Sequence, residues 1–514
     1  MVGEFLRSVD SEEIKPAVLI ILGKALPESD KGSMDVGYRT IIKAASSGQQ
    51  RLFSEGMVSI GEVYSIFKEI ADAKGPGSRK TKENLLGGLL SRLDESEKEY
   101  LVRSLFGEMR VGVSEGVMLD AIAYASGARM ESVRNAFMLS GDVGEVATTA
   151  IAKGKEQLDG VAIKLFTPIR PMLAEMSSGV EEVIRTLGEA AFEFKLDGAR
   201  IQIHSDGRRV KIFSRRLTEV TESLPEIVSI VRSQIDAEQF IMEGEAVAFK
   251  DRPLPFQEVM RRFTRVHDVV DSSRAIPLKL YLFDVLWLED RALIDLPYTT
   301  RWDELQKVAP PELIVPRLVT GDVGAAEEFY KKALAEGHEG LVAKGLDSPY
   351  AVGKRGKRWL KIKKSESLDL VIVAADWGYG RRIGWLSDYY LAAVSGDGYE
   401  VIGKTFKGFT DVEFEMITKR LLALKVSETR HTVQVRPEIV VQVVFDEVQK
   451  SPKYAAGLAL RLARIQSIRD DKRPKDADTI ETVRRVYERQ FDTKDRLDRP
   501  EDVRSDNDYI AGSL

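Results

Sequence analysis

The sequence predicts a multidomain protein: an all-α region over residues 1–167, an α+β region with antiparallel sheets over 168–365, and a small β-barrel with a final helix and tail over 366–514. Three observations predict it. Apolar residues recur at three- and four-residue spacing through the first third. From Phe166 onward, short β-rich runs alternate with turns and single helices. After about Ser365, short strands follow one another across glycine-rich turns. A chain of 514 residues is also too long for one core, and about three domains is the natural division.

In the first region the helical spacing runs over 54–73, 81–93, 96–106 and 115–125. Asp94 ahead of Glu95-Ser96-Glu97, and Ser114 ahead of Glu115, offer side-chain oxygens to the unpaired N–H groups of a first turn. Gly75-Pro76-Gly77-Ser78 is a loop between two helices. A purely structural helical domain has the same pattern, so this region alone carries no function. In the second region strands are expected at 191–194, 200–204, 210–214, 240–249 and 278–287, with helices at 180–187, 223–233 and 323–336. Asp206-Gly207 between Ile203 and Val210 signals a hairpin. The third region offers strands at 369–375, 385–394, 399–405 and 440–445, turns such as Trp377-Gly378-Tyr379-Gly380, and one helix at 411–424. That set suits a barrel of the oligonucleotide/oligosaccharide-binding (OB) fold type. A last amphipathic helix at 478–490 precedes a polar tail from about Asp492, expected to be mobile. No internal repeat is present.

Composition narrows the classes. The chain is 43% hydrophobic and 31% charged, as in a soluble globular protein, and it has no cysteine. Disulfides and cysteine-bound zinc are excluded, and a reducing cytoplasm fits. The four histidines are scattered, so no histidine metal site is written. No basic region followed by an apolar run opens the chain, and the longest apolar stretches are too short to span a bilayer. A net charge of -5 argues weakly against nucleic acid, but totals hide patches. Basic clusters lie at Ser78-Arg79-Lys80, Arg261-Arg262-Phe263-Thr264-Arg265 and 354–364; any one of these is more often a solvated face. Scarce asparagine, absent cysteine and high charge together point to a thermophile.

The most informative segment is Phe192-Glu193-Phe194-Lys195-Leu196-Asp197-Gly198-Ala199-Arg200. A lysine nucleophile must lose its proton. At an ordinary pKa of about 10.4, only about one in 2,500 is neutral at pH 7, so a site must supply up to ~4.6 kcal/mol of bias. Nearby cations and a divalent metal supply it and also steady an attacked phosphate. Read alone, the segment is equally an edge strand entering a charged turn. Five further segments alter the balance. They are Ser214-Arg215-Arg216; Phe240-Ile241-Met242-Glu243-Gly244-Glu245-Ala246-Val247; Tyr281-Leu282-Phe283-Asp284-Val285-Leu286; His338-Glu339-Gly340-Leu341-Val342-Ala343-Lys344; and Arg358-Trp359-Leu360-Lys361-Ile362-Lys363-Lys364. In the last of these Lys361 and Lys363 share one strand face.

With these segments in this order, the sequence resembles the ATP-dependent DNA ligases of the archaeal and eukaryotic replicative three-domain type, within the covalent nucleotidyltransferases. The Lys-x-Asp-Gly-x-Arg core is Lys195 to Arg200. Met109-Arg110-Val111-Gly112-Val113 and Phe166-Thr167-Pro168-Ile169-Arg170-Pro171-Met172-Leu173-Ala174 resemble the family's DNA-binding domain and its exit. The resemblance implies a DNA ligase that seals nicks through a lysyl-AMP and an adenylated-DNA intermediate. It implies ATP as adenylate donor and Mg²⁺ as metal, with roles in replication, repair and recombination. Lys195 would take the adenylate. Arg200 and Arg215 would hold phosphate or ribose. Glu245 and Glu339 would serve nucleotide and metal; Glu243 shares a strand face with Glu245, and the sequence alone does not choose between them. Asp197 would assist the metal or the lysine. Phe283 would stack on adenine, although such a strand phenylalanine is usually core. Glu193 would read the base edge, while Arg355, Lys361 and Lys363 would contact the nucleotide. Arg464, in Leu460-Arg461-Leu462-Ala463-Arg464-Ile465, would orient the pyrophosphate leaving group, although the family has Phe-Pro where Leu462-Ala463 stands. The implied partner is nicked duplex DNA. A sliding clamp is a further partner by family, with no convincing short motif for one. A monomer in the cytoplasm or nucleoid of a prokaryote, archaeal by resemblance, is expected. The alternatives are an RNA ligase or GTP-using capping enzyme, and a non-catalytic DNA-binding scaffold on a decayed ligase fold.

Overall fold

The computed structural model describes residues 1–26, 36, 40–41, 58–73, 75, 77–105, 112–158, 160–263, 269–363, 366–379 and 382–496. Of the expectations above, helix residues 54–57 and Phe106, Pro76, Met109-Arg110-Val111, Thr264-Arg265, Lys364, Gly380 and the tail from residue 497 lie outside them.

The N-terminal region is helical. Ile60–Asp72 is capped by Ser59, whose side chain accepts from Glu62 N, and buries Val63, Phe67, Ile70 and Ala71. Asp94 and Glu97 exchange backbone and carboxylate hydrogen bonds at 2.8 and 3.0 Å, which starts Glu95–Leu105. Ser114 accepts from Val117 N and starts Glu115–Ser126, which ends on Gly127 in the left-handed conformation. The chain then enters the central region along 160–172, pinned there by side chains of that region. Gln202 exchanges two hydrogen bonds with the Ile169 backbone, at 2.7 and 3.1 Å, and His204 Nδ1 accepts from Phe166 N.

The central region holds two five-stranded sheets built from β1 (Leu173–Met176), β2 (Ala190–Lys195), β3 (Ala199–Asp206), β4 (Val210–Ser214), β5 (Gln239–Ala248), β6 (Leu278–Leu288), β7 (Arg291–Ala292), β8 (Arg317–Thr320), β9 (Gly340–Gly345) and β10 (Arg355–Lys363). Their orders are β1-β10-β9-β2-β8 and β4-β3-β5-β6-β7. All pairings are antiparallel except β1 with β10. Leu196-Asp197-Gly198 carries the chain from the first sheet to the second. Gly198 is required there: a Cβ would lie 2.5 Å from Ala246 O and 2.8 Å from Glu245 Cγ. Helices Val180–Leu187, Tyr298–Val308 and Val323–Ala335 close one core with Phe192, Phe194, Leu341 and Ile362.

The C-terminal region holds β11 (Glu366–Trp377), β12 (Leu386–Ser395), β13 (Gly398–Thr405), β14 (Lys425–Glu428), β15 (Thr432–Val435), β16 (Val440–Phe445), β17 (Glu447–Lys450), β18 (Leu458–Arg461) and β19 (Arg464–Ile468). Seven of them form one curled sheet in which the long β11 pairs with β12, β15 and β16, while β17 and β18 form a separate hairpin. Helix Asp411–Ala423, started by a Thr410/Glu413 capping box, buries Phe414, Ile417 and Leu421 against it. Ile480 and Val483 of helix Ile480–Arg489 join the same core.

The tail corrects one expectation. It does not come free at Asp492, because residues 492–496 are tied to the central region. Lys494 Nζ reaches Asp197 at 2.5 Å and Glu447 at 3.4 Å, and Asp495 accepts from the N–H groups of Asp251 and Arg252. The charge of Lys494, which suggested solvation, is buried against two carboxylates.

Candidate nucleotide-transfer site

Lys195 ends β2, where the chain leaves one sheet for the other. Its Nζ donates to Glu339 Oε2 at 2.5 Å, and its carbonyl accepts from Glu339 N at 2.9 Å. Glu339 is brought there by β9, whose first residue Gly340 pairs with Lys195. Only glycine fits at 340: φ is +147°, and a Cβ would lie 2.2 Å from Ile362 O. Burial opposes the Lys195 charge, yet Glu339, Asp197 and Glu245 outweigh it and hold the amine above its ordinary pKa. The sequence reasoning expected cations to bias this lysine toward the free amine. The nearest charge is instead a carboxylate, because β9 lies directly beside β2.

Three carboxylates thus surround the amine. Glu245, on β5 and facing Arg200 across the ladder, is pushed up to about 8 by burial, against the pull of Lys195 and Arg200. Burial also raises Glu339. Asp197 goes the other way: although buried, it is held well below the usual range by Lys494 and Arg461. Glu243 and Glu245 are now distinguished. Glu243 is 1% exposed and committed to Arg200 at 2.6 Å and the Tyr350 hydroxyl at 2.8 Å, leaving Glu245 as the carboxylate at the lysine.

Cations ring the same space. Burial lowers Lys361, and so does repulsion from Lys195, Arg355, Lys363 and Arg215. Partial desolvation together with Arg200 and Arg355 lowers Arg215. Arg215 and Arg355 are exposed, and among the described residues neither they nor Lys361 has a side-chain ion pair. An unpaired cationic cluster beside a lysine suits a polyphosphate. Phe283 is half-buried on β6, with Arg200 5.3 Å and Lys344 4.7 Å from its ring centre. Glu193 is buried, ion-paired with Lys344 at 2.8 Å, and accepts from the Tyr298 hydroxyl. Burial raises its pKa in spite of both partners.

The C-terminal region faces this site across a cavity of about 310 Å³, lined by Asp197, Glu339, Lys363, Asp446, Arg461 and Lys494 among others. Lys363 pairs with Asp446, and Arg461 reaches Asp197 at 3.5 Å and Glu447 at 3.8 Å. Arg464 is not brought to the site. Leu462 turns the chain with φ +53°, so Arg461 enters the cavity while Arg464 is exposed on β19, opposite Val444. Sequence reasoning missed Arg461, although it lies in the quoted segment, and Tyr350, Lys344 and Lys494. For Lys494, in an apparently solvated tail, the sequence held no signal.

Comparison with known proteins decides the family. Residues 171–363 match the ATP dependent DNA ligase domain, residues 40–123 the DNA ligase N terminus, and residues 382–472 the ATP dependent DNA ligase C terminal region. DNA ligase 1 of Korarchaeum cryptofilum is 43% identical over 96% of this chain and 95% of its own. The chain belongs to the ATP-dependent DNA ligases. The DNA ligase of Thermococcus fumicolans is 41% identical over 95% of the chain and 94% of its own length. A probable DNA ligase of an Anaeromyxobacter species (strain K) is 44% identical over 89% of the chain and 90% of its own. The solved structure Pmar-Lig_Pre shares the fold at 18% identity, with a TM-score of 0.53 over 90% of this chain and all (100%) of that one. The protein is therefore an ATP-using DNA ligase with a helical N-terminal region, an α+β centre and a β-rich C-terminal region. No helix among its described residues is long and apolar enough to cross a membrane.

Proposed function

We propose that this ligase seals 5′-phosphate/3′-hydroxyl nicks in duplex DNA through an adenylate carried on Lys195. The single observation behind this is the placement of Lys195 at the junction of two sheets, between Glu245 and Glu339 and beside Lys361, Arg215 and Arg355, cations without an ion pair among the described residues. Lys195 Nζ, after losing a proton, attacks the α-phosphorus of ATP. A P–N bond forms, the bond to the β-phosphate oxygen breaks, and pyrophosphate leaves. An oxygen of the DNA 5′-phosphate then attacks the same phosphorus and returns the amine. The nick's 3′-hydroxyl finally displaces AMP and joins the strands. Lys361 and Lys363 neutralise the transferring phosphate in each displacement.

Glu245 and Glu339 fit a divalent cation. Both are buried oxygen donors at the Lys195 amine: burial pushes Glu245 up to about 8 and raises Glu339 although it pairs with Lys195. Among the described residues no cluster of three or more such side chains makes a complete cage, which matches Mg²⁺ held by one or two carboxylates, water and substrate phosphates. Glu245 and Glu339 would hold the ion, which when bound would supply positive charge to the phosphate oxygens.

Phe283 stacks on adenine and Glu193 selects it, with Arg200 and Arg215 on phosphate or ribose. We read 1–167 as DNA-binding, 168–365 as adenylation domain and 366–514 as an OB-type barrel with its helix and tail. The helical and barrel domains grip the duplex through phosphates, giving salt-dependent binding nearly indifferent to sequence. Arg464 serves the pyrophosphate only once the barrel turns to present β19; Arg461 is the arginine facing the site in the arrangement described. The test is sealing of a nicked duplex with ATP. Lys195→Ala should join nothing from ATP yet retain part of its activity on a pre-adenylated nick. Equal activity with GTP, or with ATP and an all-RNA nick, would count against the reading.

A further inference from the structure

Arg200 is held by three acceptors from three parts of the fold. Nη1 donates to the Met172 carbonyl at 2.7 Å, and Nη2 donates to Glu243 Oε2 at 2.6 Å and to the Tyr350 hydroxyl at 3.1 Å. Tyr350 in turn donates to Glu243 Oε2 at 2.8 Å and accepts from Met172 N at 2.8 Å. Its hydroxyl therefore uses its one proton and both lone pairs. The knot is dry: Tyr350 is 4% and Glu243 1% exposed. Phe283 and Trp359 lie 5.3 and 5.7 Å from the guanidinium carbon, and Trp359 packs edge-on against Tyr350.

One donor is left over. Arg200 Nε is buried and has no acceptor among the described residues. A buried N–H without a partner is destabilising, and a guanidinium clamped at both terminal nitrogens cannot turn to find one.

We propose that Tyr350 is a positioning residue for adenylate transfer: with Glu243 it fixes Arg200 in the orientation that keeps Nε for an oxygen of the nucleotide. This rests on the nucleotide reading of the Lys195 site. Phenylalanine at 350 would keep the packing on Trp359 but leave the Met172 N–H and one Arg200 N–H without their acceptor. Because Met172 ends the segment joining the helical region to β1, the same hydroxyl ties Arg200 to the path by which the helical region is attached.

The experiment is a double-mutant cycle on the full chain with Tyr350→Phe, Arg200→Gln and both together. Self-adenylation is followed with α-labelled ATP and Mg²⁺ over a range of ATP concentrations. Tyr350→Phe is expected to lower kcat/KM for ATP by about tenfold or more, the scale of a misplaced binding group. Added to Arg200→Gln it should cost less than about a further twofold, since no guanidinium remains to be placed. A purely structural tyrosine would multiply its loss onto that of Arg200→Gln, which overturns the proposal, as does Tyr350→Phe within about twofold of the wild type. Circular dichroism checks folding. If Tyr350→Phe does not fold, Glu243→Gln enters the same cycle under the same criteria. A wild-type chain that takes no label overturns the adenylation reading itself, whereas a labelled wild type with an unaffected Tyr350→Phe overturns only this inference.

Discussion

Replacing Lys494 by methionine keeps the volume and removes the charge that locks the C-terminal region onto the core motif. In the closed arrangement the Lys494 side chain is 12% exposed and lies 2.5 Å from Asp197 and 3.4 Å from Glu447, which are 2% and 9% exposed. Without it, two buried carboxylates share, among the described residues, only Arg461, at 3.5 and 3.8 Å. Removing one partner of a buried pair costs about 3–5 kcal/mol, because the other charge stays desolvated. The molecule has a cheaper route than unfolding: the regions separate and the carboxylates regain water. The closed-to-open ratio should therefore fall by a factor of about 10²–10⁴. Small-angle X-ray scattering of the DNA-free protein should report a larger radius of gyration for Lys494→Met than for the wild type, with both still folded by circular dichroism. An unchanged radius of gyration with a lowered melting temperature would refute the reasoning, since the lysine would then be stabilising one domain and not the contact between two.

Three further outcomes follow from the geometry. Glu245 is raised to about 8, so between its unfolded pKa of about 4.5 and 8 the native state holds the extra proton; stability should fall as pH rises through that window, by at most about 5 kcal/mol. Melting curves against pH should show this slope without metal, and both Mg²⁺ and Glu245→Gln should flatten it; a slope indifferent to both contradicts the assignment. Arg464→Ala should lower self-adenylation by about tenfold or more while sparing a pre-adenylated nick, whereas Arg461→Ala should also open the closed form by scattering; equal loss of both steps in Arg464→Ala removes its leaving-group role. Gly198→Ala places a Cβ 2.5 Å from Ala246 O and should destabilise the chain by about 1–3 kcal/mol in thermal unfolding; a neutral result would show that the sheet junction has slack.

What the sequence made legible follows from periodicity and local chemistry. The strand Val210–Ser214, the helix Val180–Leu187 and the Asp206-Gly207 turn stand where alternation and turn residues put them. Short elements with little pattern of their own were not legible: β7, β8, β14, β15 and β17 are two to four residues long and exist because a neighbour supplies their hydrogen bonds. At the site, the residues on the two strands bracketing Gly198 were readable as a motif. The charge balance around Lys195 was not, because it depends on β9 lying against β2, a pairing between residues 144 apart in sequence for Lys195 and Glu339. The choice between Glu243 and Glu245 was closed to strand alternation for the same reason. It turns on Tyr350, which is 107 residues from Glu243.

Peptide mapping by mass spectrometry of the enzyme incubated with ATP and Mg²⁺, without DNA, reads the central claim directly. A phosphoramidate-linked AMP on the peptide carrying Lys195, lost when nicked DNA is added, is the predicted result. AMP on another residue, or joining of nicks with no adduct at any stage of turnover, would contradict it.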